Sequence, residues 1–489
     1  MPEHRLHTAT RIVRNFMVLL LVAAIAKGSG LITAVIVARF LGAEALGIYA
    51  VVMALTLLLE LIAPLGQQDV LIRSVARAPN SMLRLWVESS VTTTVVASLC
   101  AVGVAVGGRT LGLAPDVQII VDVAAISLPF GSTSIVTRAV LQGLEQLKFL
   151  AISSFVGHVA WLGTLVALLL FDVGVVAAFI GRLMFHLVTL GILTVVIIRR
   201  GRHVGAAADW QLTPRHLAGR ALASFPFAAQ RVIGEASIRG SVLVLPFVIS
   251  MQSVGLFDAA DRVRQTIATM IPIVTLAVMP AFSRTFREDR AQGAVLATYS
   301  MKFLLIAVLP MTFLIAAAAP DILRLLYGYG YSLSVPVLQI VIWAQVFLSV
   351  DTILKQVIIA SDHEVSMLRR SAAGVLVQIL LTIVLVTLFG INGVAMAIVG
   401  ASVFIAALDV HFVVRHVVKL DFANAIAKPL LCAAGAGAVA LALNRQHLLL
   451  IVAAAGVTYL AALFILRTFS ANELNLMRSL PAGLLKKRG

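Results

Sequence analysis

The sequence has few charged residues and almost no cysteine. Only 12% of the 489 residues are charged and 61% are hydrophobic, whereas a typical soluble domain is about 25% charged. Such a chain lacks the polar residues needed to cover a surface facing water, which excludes a soluble globular protein. Cys100 and Cys432 lie in apolar stretches of different halves, so we expect buried free thiols and no disulfide.

Motifs for common enzyme chemistry are also missing. The sequence has no G-x-x-x-x-G-K-[ST] loop, no H-E-x-x-H and no closely spaced cysteine pair. The ten histidines are scattered, and no nucleophile forms a recognisable pattern with a base. We therefore predict that the protein is not an enzyme and has no cofactor or metal, with coupling to H⁺ or Na⁺ left open.

Long apolar runs are what the sequence has instead. Runs of about 18 or more residues, enough for a helix to cross a bilayer, recur along the whole chain. We predict an all-α polytopic membrane protein with about 14 transmembrane helices. The predicted spans lie near 16–37, 48–65, 85–106, 117–137, 149–171, 174–198, 222–249, 256–282, 301–319, 333–359, 367–389, 391–413, 429–443 and 448–466.

The net charge of +16 comes from basic residues that lie mostly on one side of the predicted membrane. With a cytoplasmic N-terminus, most of the 38 Lys and Arg residues fall in cytoplasmic segments. Only Arg39, Arg109, Arg324 and Arg445 fall in the segments on the opposite side. Because cytoplasmic loops of membrane proteins collect Lys and Arg, the charge indicates topology and not nucleic-acid binding. We predict that both termini are cytoplasmic.

Two short patterns occur twice in the chain. Gly47-Ile-Tyr49 recurs 208 positions later as Gly255-Leu-Phe257, and residues 174–181 resemble residues 393–400. We expect each Gly-apolar-aromatic step to open a new helix after a short loop. Because six spans precede the basic segment, the repeats are parallel. We predict an N-terminal six-helix bundle at 1–200, a basic cytoplasmic linker at 201–220, a C-terminal six-helix bundle at 221–415, and two additional helices with a basic cytoplasmic tail at 416–489.

Ionisable residues inside the spans are concentrated in spans one, two, seven and eight. Such residues are costly in a bilayer and normally face a partner or an interior cavity. Arg231, Glu235 and Arg239 recur every four residues, which places them on one stripe about 12 Å long. The full set in these four spans is Lys27, Glu60, Arg231, Glu235, Arg239, Asp258, Asp261, Arg262 and Arg264.

Simple neutralisation is an alternative explanation for several of these charges. Glu235–Arg239, Asp258–Arg262 and Asp351–Lys355 each place an acid one turn before a base, which suits an ion pair within one helix. Lys27 has no acid one turn away in its own span, so a role facing a ligand is favoured for it. For Arg182 and Asp409 we expect packing or pairs between helices.

Three motifs resemble one transporter family. The stretch Arg39-Phe-Leu-Gly-Ala-Glu-Ala-Leu-Gly-Ile-Tyr49 resembles the R-x-L-G-x-x-x-x-G-x-Y signature of polysaccharide and O-antigen flippases. Residues 254–262 resemble the V-G-x-Y-x-x-A-x-R start of their eighth span, with Phe257 in place of Tyr, and residues 142–145 resemble the turn after their fourth span. From these motifs and the predicted topology, the chain is identified as a member of the lipid-linked oligosaccharide branch of the multidrug/oligosaccharidyl-lipid/polysaccharide (MOP) exporter superfamily.

The resemblance implies a V-shaped pair of bundles around a central cavity. It also implies a flippase that moves an undecaprenyl-pyrophosphate-linked oligosaccharide from the cytoplasmic to the periplasmic leaflet of the bacterial inner membrane by alternating access. The expected partners are this lipid-linked saccharide and membrane lipids, with a polysaccharide polymerase and glycosyltransferases as candidates. The expected headgroup-binding cations are Lys27, Arg39, Arg231, Arg239 and Arg262, and the expected coupling or gating acids are Glu60, Glu235, Asp258 and Asp261.

Three other functions remain open from the sequence. A cation-coupled multidrug exporter of the same superfamily would need acids in the middle of spans one or seven, where this chain has Lys27 and a glutamate between two arginines. The second is a flippase for lipid II. The third is a non-transporting scaffold protein of a polysaccharide assembly complex.

Overall fold

The computed structural model describes residues 2–204, 212–268, 282, 285–286, 288–443, 448–466 and 468. In these residues all regular secondary structure is helical and no strand is present. The α-helices, numbered here in chain order, are α1 (Pro2–Ile62), α2 (Gln67–Arg77), α3 (Met82–Thr110), α4 (Pro115–Gly143), α5 (Leu147–Leu169), α6 (Val176–Val204), α7 (Pro214–Val244), α8 (Met251–Ala268), α9 (Arg290–Tyr327), α10 (Ser334–Val341), α11 (Ala344–Ala360), α12 (Glu364–Phe389), α13 (Ile391–His416), α14 (Phe422–Ala442) and α15 (Leu448–Ile465).

Ten helices within the described residues are long and apolar enough to cross a membrane. The predicted class, an all-helical multi-pass membrane protein, is confirmed. The predicted spans seven and eight correspond to α7, which carries five Arg and Glu residues, and to α8, which is described only as far as Ala268. The count of fourteen spans and the parallel repeat stay predictions, and most of the basic tail lies outside the described residues.

The break between predicted spans one and two is present but shorter than predicted. Only Gly42 leaves helical geometry, with φ 87° and ψ −176°, in a left-handed region that favours glycine because it has no Cβ. The residues on either side of it are helical, so α1 consists of two helices joined at a kink at Gly42, and the second of them ends at Ile62. Gly47 lies five residues beyond this break, and Gly255 lies in the second turn of α8, which begins at Met251 after a short connection. Both glycines therefore lie near the start of a helix that follows a short break, as predicted.

The chain divides into two compact units, Met1–Asp258 and Ala259–Gly489. Aliphatic side chains of α2 to α6 form a core of the first unit, which includes Leu71, Leu141 and Leu193. A core of the second unit draws residues from α9, α11, α14 and α15, among them Leu305 and Ile353. Helix α7 contacts α1, α2 and α3, so it belongs to the first unit. The predicted bundle boundaries stay predictions.

The backbones of α1 and α8 approach each other within the first unit. A Cβ added to Gly47 would lie 2.8 Å from the carbonyl carbon of Met251 and closer still to its oxygen. A Cβ added to Gly255 would meet the carbonyl of Ala43 in the same way, 2.9 Å from its carbon. The two glycines of the repeated pattern therefore face each other, and each occupies a position where only a hydrogen fits.

Candidate functional site

The first unit contains a buried charged cluster centred on Glu60 of α1. Its Oε2 accepts a hydrogen bond from Arg182 Nη2 at 2.7 Å, and its Oε1 lies 3.1 Å from His186 Nε2. All three side chains are 5% exposed or less. Arg182 and His186 are one turn apart on α6, so they reach the carboxylate from the same face. The expected interhelical pairing of Arg182 is confirmed.

Helices α4 and α5 complete this cluster. Gly131 of α4 makes room for it, because a Cβ there would lie 2.5 Å from Glu60 Oε1 and 3.0 Å from His186 Cε1. Arg138, two turns further along the same face of α4, holds its guanidinium 5.6 Å from the centre of the Phe185 ring. The ring of His158 on α5 lies 4.4 Å from that of Phe185.

The charged stripe predicted on α7 is present, but two of its cations are paired with acids. Arg231 donates from Nε and Nη2 to the two carboxylate oxygens of Asp69 on α2, at 3.0 and 2.9 Å. With its amide oxygen facing Arg231, Gln68 also accepts from Nη1 at 3.0 Å. Arg239 pairs with Glu235, as the one-turn spacing predicts. The Arg231–Asp69 side chains remain 39% and 27% exposed, so other molecules can reach them.

The beginning of α7 is tied to α3 by a second set of charges. Glu88 of α3 is 1% exposed and accepts from Arg84 Nε at 2.9 Å. Its other oxygen pairs with Arg220 of α7 and lies 3.4 Å from His216 Nε2. Ionic contacts therefore fix α7 against α2 and α3, which the sequence did not predict.

The remaining predicted site residues lie on α8 and α1. Asp258 is buried, and Arg262 is half-buried in the same helix. Asp261 accepts from Arg264 Nε at 2.5 Å and from Gln265 Nε2 at 2.7 Å, so its partner is one turn ahead. Both predicted cations of α1 are exposed, Lys27 before Gly42 and Arg39 close to it. The roles assigned to these residues stay predictions.

The second unit contains its own buried charges. Lys355 Nζ lies 2.6 Å from Asp351 Oδ2 on α11, as predicted from their spacing. Arg370 of α12 pairs with Asp409 of α13 and stacks 3.9 Å from the Phe412 ring. The expected interhelical pairing of Asp409 is thereby confirmed.

Sequence reasoning missed several residues of these clusters, among them Asp69, Arg138 and His186. Asp69 lies just beyond span two and Arg138 at the end of span four, so both were assigned to loops. His186 was passed over as one of several scattered histidines, although its one-turn spacing from Arg182 was a usable signal. Within the described residues, no group of three His, Cys, Asp or Glu side chains is arranged to hold a metal ion.

Comparison with known proteins identifies similar sequences. Residues 12–286, more than half of the chain, match the family described as "Polysaccharide biosynthesis protein". A protein of Escherichia coli K12 named as an O-antigen transporter is 26% identical over 175 residues, which cover 36% of this chain and 42% of that protein. One of Shigella dysenteriae with the same name is 22% identical over 370 residues, 75% of this chain and 91% of that protein.

Solved structures share the fold at low sequence identity. A lipid II flippase, MurJ, in an inward closed conformation has a TM-score of 0.74 and 15% identity, and the match covers 92% of this chain and 98% of MurJ. An inward-facing multidrug transporter of the MATE family has a TM-score of 0.65 and 14% identity, covering 81% of this chain and 94% of the other. These relatives are named as transporters and flippases and not as enzymes, which agrees with the absence of enzyme motifs in the sequence.

The motif resemblance, the helical membrane fold and the family match agree with one another. The predicted membership of the polysaccharide and O-antigen branch of the MOP superfamily is confirmed at the level of the family. The chain belongs to the family described as "Polysaccharide biosynthesis protein".

Proposed function

We propose that the protein is a flippase that moves an undecaprenyl-pyrophosphate-linked oligosaccharide from the cytoplasmic to the periplasmic leaflet of the bacterial inner membrane. The observation that carries this proposal is the set of basic side chains within its spans, together with Arg39 just beyond span one. A pyrophosphate that crosses about 30 Å of hydrocarbon must exchange its water for other charged or hydrogen-bonding groups. The cations of α1, α7 and α8 supply them: Lys27, Arg39, Arg231, Arg239 and Arg262.

The pairing of Arg231 supports a site that leaves no bare charge when it is empty. Its Nε and Nη2 hold both oxygens of Asp69, and Arg binds phosphate oxygens in this same two-pronged geometry. A diphosphate can therefore replace the carboxylate at the same two donors. Glu235 gives Arg239 an equivalent exchangeable partner. In this proposal the acids keep the empty protein neutral and leave their cations when the headgroup binds.

The proposal includes the architecture and energetics that the family resemblance implies. Two six-helix bundles form a V around a central cavity and alternate between openings to the two leaflets, with both termini cytoplasmic. In this proposal the acids Glu60, Glu235, Asp258 and Asp261 couple transport to H⁺ or Na⁺ or act in gating. A polysaccharide polymerase and glycosyltransferases are the proposed assembly partners.

Rival functions share this fold, so the fold alone does not choose between them. MurJ is named as a lipid II flippase and the MATE protein as a multidrug transporter. A polysaccharide cargo is favoured over lipid II by the family match. An anionic cargo is favoured over a cationic drug because span one carries Lys27 and Glu235 lies between Arg231 and Arg239 on α7.

Neutralising Lys27 and Arg239 together is expected to reduce flipping by roughly 100-fold or more, because each charge-assisted bond is worth about 1.5–3 kcal/mol. The variant K27Q/R239Q is compared with wild type for the rate at which lipid-linked repeat units reach the periplasmic leaflet in cells. The matched control is R415Q/K419Q, which removes two exposed charges at the end of α13 and just beyond it. Wild-type flipping by K27Q/R239Q at normal abundance would refute the headgroup site.

A further inference from the structure

We infer that the contact between α3 and α7 is a releasable latch, in which Arg84 helps α7 to leave. The latch consists of Arg84, Glu88 and Ser89 of α3 and of His216 and Arg220 of α7. A protein that alternates between two conformations needs contacts that hold one of them and yet release reversibly. The inference goes beyond the proposed function and is tested without any saccharide.

The first argument is that α7 reaches α3 through two side chains that meet at one carboxylate. Arg220 donates from Nη1 to Glu88 Oε2 and from Nη2 to Ser89 Oγ, the latter at 3.5 Å. His216 Nε2 lies 3.4 Å from the same Glu88 oxygen. His216 and Arg220 are one turn apart on α7, so both reach Glu88 from the same face.

The second argument is that the two sides of the latch differ in exposure. The side chain of Glu88 is 1% exposed, whereas those of Arg220 and His216 are 22% and 30% exposed. Removing the cations of a buried carboxylate is costly, and this cost holds α7 in place. Partly exposed cations return to water at little cost. The contact is therefore held from the Glu88 side and reversible from the α7 side.

The third argument is the partner that stays with Glu88 when α7 leaves. Arg84 Nε donates to Glu88 Oε1 at 2.9 Å from the preceding turn of α3, so it moves with the carboxylate. In the closed latch Arg84 shares this carboxylate with Arg220, and the two like charges repel each other. After release, Arg84 no longer shares it with Arg220. Arg84 therefore stabilises the released state relative to the closed one.

The test measures how often α7 leaves α3 in the purified protein in detergent. The probe is S224C, one turn after Arg220, in a chain that also carries C100A and C432A. Ser224 is 1% exposed, and its hydroxyl donates only to carbonyl oxygens of its own helix. A buried thiol reacts with a water-soluble maleimide when the structure opens locally, so the labelling rate reports the released population.

Replacing the two arginines should change this rate in opposite directions. R220Q should raise it roughly 10-fold, because the closed state loses a hydrogen bond between charged groups. H216Q should raise it by less. R84Q should lower it at least about 2-fold, because the released state loses a cation beside its carboxylate. Arginines that merely tie the two helices together would both raise the rate when replaced.

The matched control is S153C on α5, a helix outside the latch. Ser153 is 0% exposed, so S153C should react at one slow rate whether the latch carries R84Q, R220Q or neither. The inference is overturned if R84Q and R220Q change the S224C rate in the same direction, or if neither changes it. It is also overturned if S153C follows S224C, because the whole unit then opens. Because no lipid-linked saccharide is present, failure here leaves the proposed flippase function untouched.

Discussion

Replacing Arg182 by glutamine is expected to destabilise the first unit by about 3–5 kcal/mol, because it leaves the carboxylate of Glu60 buried without its 2.7 Å partner. Both side chains of this pair are about 5% exposed, so water cannot replace the guanidinium. The effect should appear as a large fall in the thermal unfolding midpoint of the purified protein and in its abundance in membranes.

Two further variants serve as controls for R182Q. R109Q breaks the Arg109–Asp122 pair, whose side chains are 58% and 31% exposed, and should cost about 1 kcal/mol or less. The double variant E60Q/R182Q removes both charges and should recover much of the stability that R182Q loses. If R182Q is as stable as R109Q, the Arg182–Glu60 pair does not contribute the expected stability.

Replacing Gly47 by alanine is expected to disrupt the contact between α1 and α8 at a cost of about 1–3 kcal/mol or more. The added Cβ would overlap the carbonyl group of Met251. A side chain could relieve such an overlap by changing its rotamer, but a backbone carbonyl within a helix cannot. G255A should act in the same way through Ala43. Thermal unfolding and membrane abundance measure the loss.

The matched control for G47A is G28A in the same helix. A Cβ at Gly28 has no other atom within 4 Å, so G28A should be neutral or slightly stabilising, since alanine favours the helix more than glycine does. Equal stability of G47A and G28A would contradict the close backbone contact.

The sequence predicted the features that depend on local spacing. Apolar runs indicated membrane helices, and the one-turn spacing of Glu235–Arg239 and Asp351–Lys355 predicted pairs that the structure contains. Such pairs follow from helix geometry alone, because residues four apart lie on the same face.

Features that depend on how helices rotate against each other were not predictable from one sequence. Arg231 and Asp69 are 162 positions apart, and Arg182 and Glu60 are 122 apart. Nothing in the spacing of such residues says which faces meet. The repeated Gly-aromatic pattern suggested two equivalent positions, but only the structure shows that Gly47 and Gly255 lie against each other.

The error at residues 39–50 has a local cause. Arg39, Glu44 and several small residues interrupt the apolar run there, which is typical of a loop. In the structure one residue, Gly42, makes the whole break, because its left-handed φ is accessible to glycine without strain. The surrounding polar residues fit a helix, so composition alone overestimated the length of the connection.

The most direct test of the proposed function is made in a bacterial strain that lacks this protein. Surface polysaccharide is measured together with extracted polyprenyl-linked saccharides, each scored for accessibility from the periplasmic side. We expect the polysaccharide to disappear while complete repeat units accumulate in the cytoplasmic leaflet. Unchanged surface polysaccharide, with increased susceptibility to cationic drugs, would contradict the flippase and favour a multidrug exporter.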